Sequence, residues 1–212
     1  MERFLTLESF SDTEEPPVYC VKKSRFTANC EYTVSEAEAV SFLQKIRAKY
    51  PDASHHAYAY RIAPLERCSD AGEPNGTAGM PILMFLKGAD LQNCVAVVTR
   101  YFGGILLGAG GLARAYKNCA LTLSDRITEK IAHRMHEITV GYSCSGKLRH
   151  ELTQTASCET YLLHEITFDQ NVHFKVSATR AGYESLTGLA LDASNGEARI
   201  SDGCDFYVSR RP

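Results

Sequence analysis

The sequence predicts an α/β chain of the α+β kind, and three observations carry that expectation. Short runs alternate between apolar and polar, as in HHAYAYRIA at 55–63, and they are interspersed with helical spacings such as Ala39, Leu43 and Ile46. The pattern changes character near residue 130. Beyond that point the order is strand, helix, strand, strand, helix, strand, which is the ferredoxin-like split βαβ arrangement. The chain is therefore read as two domains, 1–132 and 133–212, with two Gly-rich loops in the first.

In chain order, residues 17–23 and 25–32 read as a strand pair hinged at Lys23-Ser24. Ser35 caps a helix, Glu38 occupies the capping-box position, and Ala39, Leu43, Ile46 and Tyr50 share one face. Pro51-Asp52 stops it. The strand at 55–63 leads to a polar, turn-rich loop, CSDAGEPNGTAGMP (68–81), and then to ILMFLKGA, which is taken as a short helix rather than a strand. Asn93 to Phe102 contains the near-continuous apolar run CVAVV, expected of a strand covered on both faces. Gly110 opens a helix to about Arg126, with Leu112, Ala115, Tyr116, Cys119 and Leu123 inward, so Arg114 and Lys117 share an exposed face.

In the second part Ile138, Val140 and Tyr142 alternate as a strand, and Lys147 to Ala156 is helical with Leu148 and Leu152 inward. Two strands follow, marked by Leu162, Ile166 and Phe168 and then by Val172, Phe174 and Val176. Tyr183, Leu186 and Ala190 mark a helix, and Ile200, Phe206 and Val208 a last strand.

Composition narrows the function classes. With 212 residues, 44% of them hydrophobic and 23% charged, the chain buries an ordinary globular core. A formal charge of −2 gives no basic background, so nucleic-acid binding has to come from a local patch. The start, MERFLTLESFSDTEEPP, is acidic and lacks the apolar centre of a signal peptide, and no stretch approaches a membrane span; a cytoplasmic protein without membrane contact is expected. Eight cysteines lie far apart, with no C-x-x-C and no histidine at zinc-finger spacing. They read as reduced, mostly buried thiols, with Cys119 on a helix face and Cys144 and Cys204 in strand-like runs. No metal and no cofactor are expected.

The segment TRYFGGILLGAGGLARAYKN (99–118) carries five glycines in the nine positions 103–111 and joins a buried strand to a helix N-terminus. Bare amides and the positive end of the helix dipole make such a place an anion site, and Arg100, Arg114 and Lys117 stand beside it. It is no Walker A loop, because no Gly-Lys-Ser/Thr follows, and no Rossmann fingerprint, because Gly108-x-Gly110 lacks the third glycine. The glycines equally suit close contact between loop, helix and sheet. The second loop, SDAGEPNGTAG (69–79), offers Asp70, Glu73 and Thr77. Its acids can act as general base or metal ligands, or can pair with Arg100 and Arg114 and tie the two loops together. His55 and His56 point to opposite faces of a strand and cannot chelate one ion, although one of them can face the loops. Cys68 carries no mark of an activated nucleophile. Lys147, Arg149, His150 and Arg210-Arg211 read as solvated charge.

Taken together, the phrases SDAGEPNGTAGMPIL (69–83) and VTRYFGGILLGAGGLARAY (98–116), with Ser24-Arg25-Phe26 and AYRI (59–62), resemble the signature of the IMPACT/YigZ family. The resemblance is strong over about 18 to 125 and looser beyond. It implies a first domain similar to the second domain of a small-subunit ribosomal protein, and a ferredoxin-like second domain similar to domain V of elongation factor G. Members of the eukaryotic branch carry an additional RWD domain and restrain a starvation-responsive kinase, and no such domain is read in this chain. The motif implies a site at Asp70, Gly72, Glu73, Gly76, Thr77, Arg100, Tyr101, Phe102, Gly103, Gly104, Gly108, Gly110, Gly111, Arg114 and Tyr116. Ala71 stands where a second acid is usual, Asn75 for a serine, Met80 for a basic residue and Ala109 for a threonine.

Two functions fit. The first is a non-enzymatic regulator in translation that binds RNA or the ribosome, with a protein partner in translation control as a further expectation. Arg100, Arg114, Lys117, Thr77 and the amides at Gly103, Gly104, Gly108, Gly110 and Gly111 would hold phosphates, and Tyr101 and Phe102 would stack on bases. The second is a small-molecule hydrolase or phosphotransferase in which Asp70 or Glu73 serves as base. The missing nucleophile motifs and the lost acid at 71 favour the first.

Overall fold

A computed structural model describes residues 3–211; Met1, Glu2 and Pro212, included in the two expected domain ranges, lie outside them. The described residues form two compact units, Phe4–Thr128 and Glu129–Arg210, with Arg3 belonging to the second. Both are mixed α+β with antiparallel sheets, as the sequence predicts.

The chain begins with β1 (Arg3–Leu7), which the apolar pattern had not marked, and continues through β2 (Val18–Val21) and β3 (Ser24–Tyr32). The β2–β3 hairpin turns at Lys22 and Lys23, both at positive φ (45° and 66°), one residue earlier than expected. Helix α1 (Glu36–Lys49) is capped by Ser35, whose hydroxyl accepts the Glu38 amide. Glu38 returns its carboxylate to the amide of Val34 rather than of the cap itself. Strand β4 (His55–Ile62) folds back on β5 (Leu65–Ser69), a strand the polarity of its sequence had hidden. The order continues through α2 (Gly79–Gly88), β6 (Cys94–Tyr101) and α3 (Ala109–Leu121), which tightens into a 3₁₀ turn at Thr122–Arg126.

The sheet order is β2-β3-β6-β4-β5, with β6 central. Its residues face two ways, Val95 and Val97 toward α1 and Cys94, Ala96 and Val98 toward α2 and α3. That double burial is why its apolar run does not alternate. Helix α3 contributes Leu112, Ala115, Tyr116 and Cys119 to the core, and its opposite face carries Arg114 and Lys117 outward.

The second unit is built from β7 (Ile127–Val140), α4 (Tyr142–Thr155), β8 (Tyr161–Phe168), β9 (Val172–Ala178), α5 (Arg180–Ala193) and β10 (Arg199–Arg210). Strands β10-β7-β9-β8 lie side by side and antiparallel, the ferredoxin-like order. Leu148 and Leu152 of α4 and Leu186 and Ala190 of α5 cover Ile138, Val140, Phe174 and Val176. Tyr142 and Cys144, expected in a strand, begin α4 instead, since Gly141 ends β7. All eight cysteines are free thiols, but only Cys30, Cys94 and Cys119 are buried, and Cys20 and Cys204 are exposed. Burial raises the thiol pKa of both Cys94 and Cys119 to about 12.

Helix α5 leans on the β8 entry through Gly182, where an added Cβ would stand 2.2 Å from the Thr160 carbonyl oxygen. Gly188, on the same helix, has no atom within 4 Å of that position. Gly182→Ala should therefore destabilise the protein by about 1–3 kcal/mol, while Gly188→Ala should stabilise it by up to about 1 kcal/mol. Urea unfolding midpoints of the two variants check the contrast.

Candidate functional site

The two Gly-rich loops connect β5 to α2 and β6 to α3, and both end at helix N-termini on the same side of the sheet. Their polar residues divide into an internal set and an external set.

Asp70 organises the first loop. Its Oδ1 accepts the amides of Ala78 and Gly79 at 2.9 Å, and its Oδ2 accepts that of Gly76 at 2.8 Å. Ala78 occupies the N-cap of α2 and has no oxygen to offer, so Asp70 supplies the cap from eight residues upstream. Partial burial works to raise the Asp70 pKa, but the Gly76, Ala78 and Gly79 amides outweigh it and hold the carboxyl below its ordinary value. Thr77 is buried, and its hydroxyl donates to the Pro74 carbonyl at 2.6 Å.

Glu73 lies under the loop, 9% exposed, against Arg100 at 5% and Tyr116 at 0%. Arg100 Nη1 reaches Glu73 Oε1 at 2.8 Å and Oε2 at 3.0 Å, and the Tyr116 hydroxyl donates to Oε1 at 2.7 Å. Burial, and then the Glu73 carboxylate, push the Tyr116 pKa far up, so the phenol stays protonated and donating. Arg100 Nη2 and the Gly103 amide both donate to Ser24 Oγ, at 3.3 and 3.2 Å. The guanidinium lies 5.4 Å from the Phe26 ring centroid and 5.3 Å from that of Phe102. His55 completes the set, with Nε2 3.8 Å from Glu73 Oε2 and Nδ1 2.9 Å from the Ala71 carbonyl oxygen. Gly103 sits so close to the β2–β3 turn that a Cβ would stand 2.1 Å from the Lys23 carbonyl carbon, so its lack of a side chain serves close contact rather than ligand access.

These facts correct three expectations. Arg100 is a buried partner of Glu73, not a hand for an external phosphate. Thr77 is turned inward. The two carboxylates proposed as bases, Asp70 and Glu73, are committed to amides and to Arg100 and Tyr116. Among the described residues no group of three or more His, Cys, Asp or Glu is placed to hold a metal ion. Cys68 is raised in pKa by burial and by Asp70, the reverse of nucleophile activation.

The external set is what remains. Arg25 lies 4.7 Å from the centroid of the Tyr101 ring, and Phe102 is 47% exposed, its amide held by Ser54 Oγ at 3.1 Å. Gly104, Gly108 and Gly110 are exposed, and Gly108 is the N-cap of α3 at φ 71°, a conformation that favours glycine. No side chain caps this terminus and no acid occupies its first turn, leaving its amides open. Arg114 and Lys117 rise from the exposed face of α3 and, among the described residues, form no ion pair. They border an apolar groove of about 710 Å³ between α2 and α3, walled by Met80, Met84, Phe85 and Leu121. Among the described residues, no acidic side chain lines it. Ser24 and Ser54 were not anticipated as supports; each acts on a loop 79 or 48 residues away, which no local pattern encodes.

Comparison with known proteins follows the same stretch of chain. The sequence profile of the Impact N-terminal domain matches residues 22–123. "IMPACT family member YvyE" of Bacillus subtilis is 36% identical over 195 residues, covering 90% of this chain and 88% of that protein. "IMPACT family member in pol 5'region" of Thermus thermophilus is 51% identical over 100 residues, and this chain spans 54% of its length. A crystal structure described only as that of a hypothetical protein superposes with a TM-score of 0.58 at 29% identity, covering 94% of this chain and 97% of the other.

Removing Arg100 leaves the Glu73 carboxylate buried without its ion-pair partner, held only by the Tyr116 hydroxyl and the more distant His55, so Arg100→Met should cost about 3–5 kcal/mol, and Arg100→Met combined with Glu73→Leu should recover much of it. Urea unfolding of the two variants beside the native chain tests this. Asp70 adds a pH signature of known sign. Because its folded pKa is lowered, its stabilisation is present above the ordinary aspartate value of 3.8 and is lost as pH falls through the folded value. An Asp70→Asn variant should be less stable at neutral pH and show a flatter acid limb in the same assay.

Proposed function

We propose that this chain, which belongs to the IMPACT family, is a non-enzymatic binding protein in translation control that holds RNA on its external α3 surface. One observation carries the reading: a helix N-terminus without a side-chain cap, two exposed cations that form no ion pair among the described residues, and an exposed aromatic ring stand together on one loop and helix. Phosphates would lie along the amides at Gly108, Gly110 and Gly111 and on Arg114 and Lys117, while Phe102 would stack on an unpaired base. Arg25 and Tyr101 would extend the strip. The role of Arg100 in this reading is indirect, since it sets the position of Phe102 from beneath. The region through residue 132 would form the RNA-binding domain, and 133–212 a second domain. No helix among the described residues is long and apolar enough to cross a membrane.

The test is binding to ribosomal subunits and to short single-stranded RNA across a salt series. Two neutralised phosphates correspond to a slope of about −1.4 in log K against log salt, and Arg114→Ala or Lys117→Ala should each reduce it by about 0.7. Phe102→Ala should weaken binding by about 1–3 kcal/mol with the slope unchanged. Absence of binding by the native chain at low salt, or variants that bind as it does, would refute the proposal.

A further inference from the structure

The ferredoxin-like unit holds a second concentration of polar groups that the reading above leaves unused. A cleft of about 710 Å³ is bounded by β7, β10 and the first turn of α5, and His136, Arg180, Tyr183 and Asp202 line it. His136 is only 3% exposed, a residue type that is costly to bury without a partner at each nitrogen. Its Nδ1 stands 2.9 Å from Asp202 Oδ1. A carboxylate only accepts, so Nδ1 carries the proton. The other nitrogen, Nε2, makes no hydrogen bond to any described residue. The Tyr183 ring stacks on the imidazole at 4.6 Å with an interplanar angle of 29°, which fixes its plane.

The first turn of α5 adds donors. Thr179 Oγ accepts the Gly182 amide at 2.9 Å, leaving the amides of Arg180 and Ala181 with no acceptor among the described residues. No acid stands in that turn. Arg180 is exposed and forms no ion pair among the described residues, whereas other charges of the cleft are matched: Arg134 with Asp205 at 2.7 Å, and Glu159 with Arg210. One end of the cleft thus combines a guanidinium, two helix-terminal amides and an imidazole nitrogen oriented by a carboxylate.

We infer that this cleft binds a phosphate group that can carry a proton, either inorganic phosphate or the end of a phosphate monoester. The amides and Arg180 require an anion with several acceptor oxygens. With the proton on Nδ1, Nε2 of neutral His136 requires a donor. A carboxylate or sulfate has none near neutral pH, while a monohydrogen phosphate presents a P–OH to Nε2 and its remaining oxygens to the amides and the guanidinium.

The experiment follows the histidine side-chain resonances of the full chain by NMR while inorganic phosphate, glycerol phosphate or, as an ionic-strength control, sulfate is added. The His136 signals should move saturably in phosphate and several-fold more weakly in sulfate, with His173 on the far side of the sheet unmoved. Arg180→Ala, an exposed position whose change leaves the fold intact by circular dichroism, should weaken the phosphate response about tenfold. A tighter response to glycerol phosphate identifies a monoester as the ligand, and a tighter response to inorganic phosphate identifies the free ion. His136 signals that stay still, that move equally in sulfate, or that respond equally in Arg180→Ala overturn the inference.

Discussion

The buried ion pair between Arg100 and Glu73 is the constraint around which the loops of the first unit are arranged. Two charges removed from water are tolerated only when their remaining hydrogen-bonding capacity is met, and here Tyr116, Ser24 and the rings of Phe26 and Phe102 meet most of it. The participants span five segments: β3 with Ser24 and Phe26, the β5–α2 loop with Glu73, β6 with Arg100, the β6–α3 loop with Phe102, and α3 with Tyr116. A loop rich in glycine is entropically costly to order, and this pair supplies the anchor that holds it against the sheet. Asp70 performs the matching task one turn away, replacing the oxygen that the α2 cap lacks.

The pair also sorts the basic residues of the signature stretch. Arg100 is neutralised inside, and so contributes position rather than charge to whatever approaches. Arg114 and Lys117, on the outer face of α3, keep their charge for the surface. The glycines divide in the same way, Gly103 serving close contact with the Lys23 backbone and Gly108 and Gly110 lying open at the helix start. The outer set is what the surface presents, and the inner set holds the loops beneath it.

The second unit treats its charges by a similar economy. On the sheet face away from its helices, Lys175 pairs with Glu165 at 2.6 Å, and His173 lies 3.0 Å from both Glu137 and Asp169. These partners, Asp169 foremost, raise the His173 pKa. That face therefore offers self-matched charge, unlike the aromatic platforms on which sheet domains stack unpaired bases. The unmatched groups are gathered instead at the α5 end, around His136 and Arg180.

Much of the fold was legible from periodicity alone. Alternating and helical spacings marked most elements, the apolar run of β6 announced burial on both faces, and the strand and helix order of the second unit led to the sheet order observed. Elements with weak patterns were hidden: β1, the polar β5, and the start of α4 at Tyr142. The signature loops were legible as a unit, and the possibility that their acids pair with their arginines was visible in the residue types. Which acid meets which arginine was not. Arg100 and Arg114 look alike in sequence, and only the inward turn of the last β6 residues and the depth of Glu73 beneath its loop decide that one is structural and the other free. Local sequence determines periodicity, turn chemistry and burial tendency, because these act over a few residues. The assignment of each charge to the interior or to the surface depends on groups 27 to 79 positions apart meeting in space, and that is settled by tertiary contact.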